Sequence, residues 1–444
     1  MKLFVFGLTL LLAGCLEGTE NGDTLVIAPP MQHLSKTPPH LPLQDNRRPH
    51  ILNMTWITFH SLVESLNDCG FDIYNSVSKH KAGENVFMSP FTTTMLLSMM
   101  HMGSGKPTDL ILAQRLRFLR LRNPDVHATM KQVIDSTHSH KSTSFAARIF
   151  LKEALPLLDS FQENAEKFYS AKPTNLVADK KANIEMVNSW VAEKTENMIK
   201  NFLTDLSDRT DMLLVSAIYF KGLWKDPFKE RLTELRDFHL DEKTTKKVDM
   251  MYSPNMNIKY GDNDVLHCKI GIIPFVGDIS LMVFVPSIGA NITALEASLN
   301  NRFLKNLEDT LPIEKVRVSI PKFEITSKQD LMPVLDDLDL DDLFRTPNLS
   351  GISLAPLAVT GALHKAVIKV SEEGVEAAAS SAIEITLMAI NPAFLPELLL
   401  DRPFVFVIRN RSSGLVMFMG HFVQPESHND ESSEESSSES SSHE

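Results

Sequence analysis

Apolar runs of seven to nine residues recur from residue 212 onward, and they constrain the fold more than any other feature. They are MLLVSAIYF (212–220), ISLMVFVP (279–286), VRVSIPKF (316–323), HKAVIKV (364–370), PFVFVIR (403–409) and LVMFMGH (415–421). Each has the length and the β-branched and aromatic content of a strand. In the third, Val316, Val318 and Ile320 alternate onto one face. Ahead of these runs the period changes. Phe59, Leu62, Val63, Leu66, Gly70 and Ile73 keep helical spacing, as do Ile184, Val187, Trp190, Val191 and Met198. Helices first and strands later argue for an α+β fold with large, mostly antiparallel sheets.

The chain has 444 residues, 43% of them hydrophobic, which is ample for a sizeable core. No internal repeat and no interior linker divides it, so one large domain is expected from 51 to 426. MKLFVFGLTLLLAGCLEG reads as a secretory signal over residues 1–18. LLAGC also matches a bacterial lipoprotein site that would lipidate Cys15; the secretory reading is preferred. Residues 19–50 are Pro-rich and without periodicity, as in a flexible extension. Residues 427–444 are Ser- and Glu-rich, the composition of a disordered acidic tail. In it Ser432, Ser433, Ser437 and Ser442 each satisfy Ser-x-Glu, a pattern that secretory kinases phosphorylate. The plainer reading is a solubilising tail. No further segment is a membrane-span candidate, and a soluble extracellular monomer is expected.

Asn53, Asn291, Asn348 and Asn410 each head an Asn-x-Ser/Thr site and are candidate glycosylation sites behind a signal peptide. Three Cys do not make a disulfide framework. With Cys15 in the signal, Cys69 and Cys268 are expected as buried free thiols, with a bridge between them as the alternative. A net charge of −12 excludes broad nucleic-acid binding.

Catalytic constellations are missing. Neither G-x-S-x-G nor H-E-x-x-H occurs. HMGSGKPT (101–108) lacks the upstream Gly of a phosphate loop, and Pro107 stands where a magnesium-binding hydroxyl is needed. DDLDLDDLF (336–344) has calcium-like acid spacing without the Gly or the terminal Glu, and fits an acidic face over Leu338 and Leu343. His138 and His140 lack a third ligand and read as loop residues. No metal and no cofactor is expected. Arg115, Arg117, Arg120 and Arg122 form a candidate surface for sulfated polysaccharide, since guanidinium forks match sulfate oxygens. An ordinary solvated face is the plainer reading.

One segment resists both core and loop readings. SEEGVEAAASSAIEITLMAINPAF (371–394) is too small-sided to anchor a core and too apolar for a solvated loop.

The surrounding motifs resolve it. NVFMSPFTTTMLL (85–97), IEMVNSWV (184–191), AIYFKGLWKDPF (217–228), IPKF (320–323), HKAVIKVSEEGVEAAA (364–379) and DRPFVFVIRNRSSGLVMFMGHFVQP (401–425) stand in the order they have in serpins. From about 52 to 425 the chain resembles that family. FHLDEKTTKKVDMM (238–251), LFRTPNLSGIS (343–353) and Cys268 within LHCKIGIIPF (266–275) resemble its antiplasmin and pigment-epithelium-derived-factor branch. The resemblance implies three β-sheets, eight to nine helices and an exposed reactive-centre loop over about 371–400. It implies no enzyme, but a suicide substrate for a serine protease: loop cleavage, an acyl-enzyme, then insertion of the loop as a new central strand. A non-inhibitory secreted ligand or carrier is the alternative.

Insertion makes demands that the residues meet. The hinge is Glu372, Glu373, Gly374, Val375, Glu376, Ala377, Ala378, Ala379 and Ser380. Gly374 suits changing backbone dihedrals. Small side chains lower the barrier to entering a dense interior. By resemblance, His364, Ser89, Thr92 and Trp224 set the ease of sheet opening. The family's loop length places the reactive bond at Met388–Ala389, and a loop one residue shorter would place it at Leu387–Met388. No Lys or Arg lies between Ser371 and Asp401. A trypsin-like pocket would leave its buried Asp unpaired, so the expected partner is a protease with an apolar primary pocket.

Overall fold

The computed structural model describes residues 48–121, 125–138, 143–287, 290–374 and 395–425, with side chains from Ile57 onward except those of His138 and Thr143. In chain order the elements begin with α1 (Arg48–His80), β1 (Val86–Met88), α2 (Pro90–Met102), α3 (Thr108–Arg115), α4 (Val126–His138) and β2 (Thr143–Leu151). They continue with α5 (Asp159–Tyr169), β3 (Thr174–Asn175), α6 (Lys180–Lys194), β4 (Met212–Lys221), β5 (Glu234–His239), β6 (Thr245–Asn263), β7 (Cys268–Pro274) and β8 (Ile279–Pro286). The last are α7 (Ile292–Ser298), α8 (Asn301–Thr310), β9 (Ile313–Pro321), β10 (Phe323–Asp330), α9 (Met332–Asp337), β11 (Gly361–Val370), β12 (Glu397–Leu399), β13 (Phe404–Asn410) and β14 (Val416–Phe422).

Five strands form one sheet in the order β10-β11-β4-β2-β3. The other nine join through the 19-residue β6, which pairs with β5, β7 and β9 in turn. A register shift between Ser253 and Met256 interrupts its ladder with β9, as a bulge does. Two of the three expected sheets thus share one hydrogen-bonded run. Pairing is antiparallel except for β11 with β4, β12 with β9 and β2 with β3.

β4 reads as a continuous apolar run because it is covered on both faces. Leu213, Val215, Ala217 and Tyr219 pack beneath α6 with Val187 and Val191. Met212, Leu214, Ile218 and Phe220 join the main core, which includes the buried α2. α2 starts at Pro90, which needs no N–H partner, and Ser89 caps it by accepting from the Thr92 N–H. β10 lies at the sheet edge, so one of its faces is wet and its burial alternates.

Two readings of period need correction. α6 ends at Lys194, and Met198 lies beyond it, exposed, while Ile199 is buried in its place. The run 316–323 breaks at Pro321 and continues as β10 from Phe323. Val316, Val318 and Ile320 are buried as the alternation requires.

Candidate functional site

Among the described residues, the five-stranded sheet has one parallel pair of long strands, at its centre. β11 and β4 run side by side from Gly361 opposite Leu213 to Lys369 opposite Lys221. No strand separates them, and beyond β11 the Ser371–Gly374 segment pairs with the segment that follows β4, with a parallel bridge between Gly374 and Trp224.

A polar node crosses this seam inside the core. His364 of β11 lies opposite Ser216 of β4, and both are fully buried. The Ser89 backbone N–H donates to His364 Nε2 at 3.0 Å. That nitrogen is therefore an acceptor, and in the neutral ring the proton sits on Nδ1. Nδ1 lies 2.9 Å from Ser216 Oγ and donates to it. The Ser216 hydroxyl then donates to Thr92 Oγ1 at 2.7 Å, and Thr92 donates to the Ser89 carbonyl at 3.3 Å. Ser89 Oγ donates to the Met417 carbonyl of β14 at 2.8 Å. The chain of donors thus has one direction and no spare proton. Burial pushes the His364 imidazole down to about 3, so the ring is neutral at physiological pH. Opening the seam must break the His364–Ser216 contact.

Ser216 belongs to no motif that the sequence singles out. It was legible as the one polar residue in an otherwise apolar run, whose neighbours at even spacing face the α2 core. A buried hydroxyl there needs a partner, and the position opposite His364 supplies it.

A second set of contacts holds the Ser371–Gly374 segment, the start of the expected hinge, at the end of the seam. Trp224 is buried and stacked on Phe275, with centroids 4.4 Å apart. Its backbone N–H donates to the Glu373 carbonyl at 3.0 Å, and the Phe228 N–H donates to the Glu372 carbonyl at 3.2 Å. Glu372 accepts from Thr233 Oγ1 at 2.8 Å and lies 3.2 Å from Lys322 Nζ. Burial alone would raise this carboxyl. Hydrogen bonds from its own N–H, Thr233 and Lys322 outweigh burial and hold it below the ordinary carboxylate range. Glu373 pairs with Lys221 at 2.8 Å. Gly374 is required by close approach: a Cβ there would meet the Trp224 carbonyl oxygen at 2.5 Å and Pro227 Cβ at 2.7 Å. Lys221, Thr233 and Lys322 carried no distinguishing sequence signal, because only the fold brings them to the hinge.

The structure therefore unites Ser89, Thr92 and His364 in one node, and Trp224 with Glu372, Glu373 and Gly374 in another. Val375, Glu376, Ala377, Ala378, Ala379, Ser380, Leu387, Met388 and Ala389 lie outside the described residues. So does Arg122. Of the other candidate polyanion ligands, Arg115 pairs with Asp339 and Arg117 with Asp72, while Arg120 is exposed.

Among the glycosylation candidates, Asn291 is exposed and caps α7 through its oxygen, leaving its nitrogen outside the cap. Asn348 is half-buried and donates to the Lys106 carbonyl at 2.9 Å. Asn410 is 1% exposed, and its oxygen accepts from Ser412 and from Ser413. The Asn53 side chain lies outside the described residues. Cys69 and Cys268 are buried free thiols, pushed up by burial to about 12 and about 11. The acids of 336–344 tie elements together, Asp337 to Ser76 and Asp342 to Thr108, above the buried Leu338 and Leu343.

Comparison with known proteins agrees with this geometry. The family described as Serpin (serine protease inhibitor) matches residues 64–425. Human pigment epithelium-derived factor is 28% identical over 374 residues, covering 83% of this chain and 88% of its own. Mouse alpha-2-antiplasmin is 30% identical over 355 residues, covering 80% and 70%. The crystal structure of uncleaved ovalbumin superposes with a TM-score of 0.75 at 27% identity, over 82% of this chain and all of that one. A family match across residues 64–425, on a chain with this fold, makes the chain a member of the serpin family.

Proposed function

We propose that the protein is a secreted inhibitor of serine proteases that acts as a suicide substrate. The observation that carries this reading is the β4–β11 seam. Two long parallel strands are direct neighbours, and the segment that leaves β11 begins with a hinge packed at the seam's end. A strand entering there would exchange the direct pairing of β11 with β4 for two new ladders. That gain in paired backbone and buried area drives insertion after cleavage. Ala377, Ala378, Ala379 and Ser380 would pass between the strands with little added volume.

The reactive bond is Met388–Ala389, with Leu387–Met388 as the alternative, and the partner is a protease with an apolar primary pocket. Sulfated polysaccharide at the exposed Arg120 is a weaker second partner, because two neighbouring guanidinium groups are already paired. Secretion rests on residues 1–18, and Asn291 is the acceptor best placed for a glycan.

The test is incubation with chymotrypsin, elastases, cathepsin G, trypsin and plasmin, followed by denaturing electrophoresis. A covalent complex with an apolar-specific protease, and a released peptide beginning at Ala389 or Met388, is the expected outcome. Cleavage by every protease with no complex and no gain in heat stability would leave a secreted ligand or carrier as the reading.

A further inference from the structure

Five Ser-x-Glu triplets occur in the chain, and the structure separates them. One is Ser371–Glu372–Glu373, at the end of β11. Its two acids are engaged. Glu372 is 7% exposed and lies 3.2 Å from Lys322 Nζ, and Glu373 pairs with Lys221 at 2.8 Å. Both backbone carbonyls are also taken, by the N–H groups of Phe228 and Trp224. A kinase cannot lay this triplet out in its cleft without dismantling the hinge. The other four, headed by Ser432, Ser433, Ser437 and Ser442, lie beyond Pro425, the last described residue. The chain is held to the domain up to that point. The Asn85 oxygen accepts from the Val423 and Gln424 N–H groups at 2.8 and 2.9 Å, and Lys246 donates to the Pro425 carbonyl at 3.0 Å. Residues 426–444 contain no apolar side chain, so nothing in their composition draws the serines into a core. Ser432 stands seven residues past Pro425, a reach of at most about 25 Å.

We propose that the residues after Pro425 are a phosphoacceptor segment, filled in a fixed order by a kinase that reads an anion two residues after the serine. In each step the serine Oγ attacks the γ-phosphorus of ATP. A new O–P bond forms, the bridging P–O bond to ADP breaks, and the hydroxyl proton passes to the kinase's base. A cleft that requires Glu at the second position must place cationic groups there. A phosphoserine offers those groups more charge and three acceptor oxygens. Each newly modified serine is therefore itself a determinant for the serine two residues upstream.

The spacing then fixes the outcome. Ser432, Ser433, Ser437 and Ser442 are acceptors at the outset, with Glu434, Glu435, Glu439 and Glu444 as their determinants. Once modified, Ser442 makes Ser440 an acceptor, Ser440 then serves Ser438, and Ser438 serves Ser436. The cascade stops there, because Glu434 stands two residues further upstream. The other three acceptors lead to Asp430, Glu431 and Glu435, which take no phosphate. Ser427 and Ser441 have Asn429 and His443 at the deciding position and are passed over. Seven phosphates, each carrying about −1.5 to −2, would roughly double the formal charge of −12.

The test uses the full-length protein, treated with phosphatase and then incubated with ATP and a purified secretory-pathway kinase of Ser-x-Glu specificity. Sites are mapped by mass spectrometry over time. No protease enters the reaction, so failure of the inhibitory reading would not touch it. Phosphate is expected first at Ser432, Ser433, Ser437 and Ser442, then at Ser440, Ser438 and Ser436. Ser442→Ala should lose all four sites of the cascade and keep Ser432, Ser433 and Ser437. Protein recovered from the medium of secreting animal cells should carry the same set as the filled wild type. No phosphate beyond Pro425 would overturn the proposal, as would phosphate on Ser436, Ser438 and Ser440 in the Ser442→Ala variant. A kinase reading the third residue instead would mark Ser427, Ser432, Ser436 and Ser441, and that pattern in the cells would equally overturn it. A chain retained in the cell, yet filled in the stated order by the purified kinase, would count against residues 1–18 as a signal and uphold the acceptors.

Discussion

The indole N–H of Trp224 donates to the backbone carbonyl of Ser371 across 2.7 Å, the first residue after β11 leaves the sheet. One side chain thereby ties the strand end, the hinge and the 222–228 segment together. Trp224→Phe keeps much of the stacking on Phe275 and removes that single bond. It should cost about 1 kcal/mol and speed loop insertion, read as faster formation of the heat-stable cleaved form after limited proteolysis. An unchanged rate would remove Trp224 from the control of opening.

Gly374 faces a simpler constraint. The Cβ of a Gly374→Ala variant would fall 2.5 Å from the Trp224 carbonyl oxygen, which is backbone and cannot swing aside. The expected cost is about 1–3 kcal/mol in the uncleaved state, seen as a lower denaturant midpoint. On the proposed mechanism, cleavage and insertion would move the hinge out of this packing. The midpoint of the cleaved protein should therefore move less than that of the uncleaved one.

His364 predicts an acid sensitivity with a definite sign. Its folded value is about 3, against 6.5 for an ordinary histidine, so the unfolded chain binds the extra proton first as pH falls. The contribution is complete above pH 6.5 and is lost progressively between 6.5 and 3. At most it amounts to about 5 kcal/mol. His364→Gln can still accept from Ser89 and donate to Ser216 without titrating. Urea midpoints from pH 7 to 4 should decline less steeply for that variant than for wild type.

Glu372 and Lys322 form the hinge ion pair with the better-buried carboxylate. Glu372→Lys places two ammonium groups together and removes the acceptor for Thr233. Because Lys322 is 44% exposed, screening limits the coupling to about 1 kcal/mol. The double exchange Glu372→Lys with Lys322→Glu should recover part of the lost midpoint. No recovery would mean that the Thr233 bond and the local packing carry the effect.

Residues 387–389 supply the specificity prediction. Met388→Arg should create complexes with trypsin-like proteases and lose those with apolar-specific ones, judged by denaturing electrophoresis. If Leu387→Arg does so instead, the bond is Leu387–Met388.

The sequence by itself determined the fold class and much of the seam. MLLVSAIYF could be read as a strand because burial on both faces leaves an apolar signature, and HKAVIKV because its buried residues alternate with Lys365 and Lys369, and neither signal needs a partner to be seen. Motifs single out Ser89, Thr92, His364, Trp224 and Gly374, and the structure places the first three in one buried hydrogen-bonded node and the last two against each other. β6 and β10 escaped notice because their polar, half-wet faces dilute the period. Only the tertiary structure decided who meets whom. Ser216 became a relay because register sets it opposite His364. Lys221, Lys322 and Thr233 became hinge anchors because three separate strand ends and turns converge. Asn410 is buried where Ser412 and Ser413 of the turn after β13 donate to its oxygen. Periodicity is written in neighbouring residues and survives without the fold. Contacts between residues a hundred positions apart exist only once the sheets have closed.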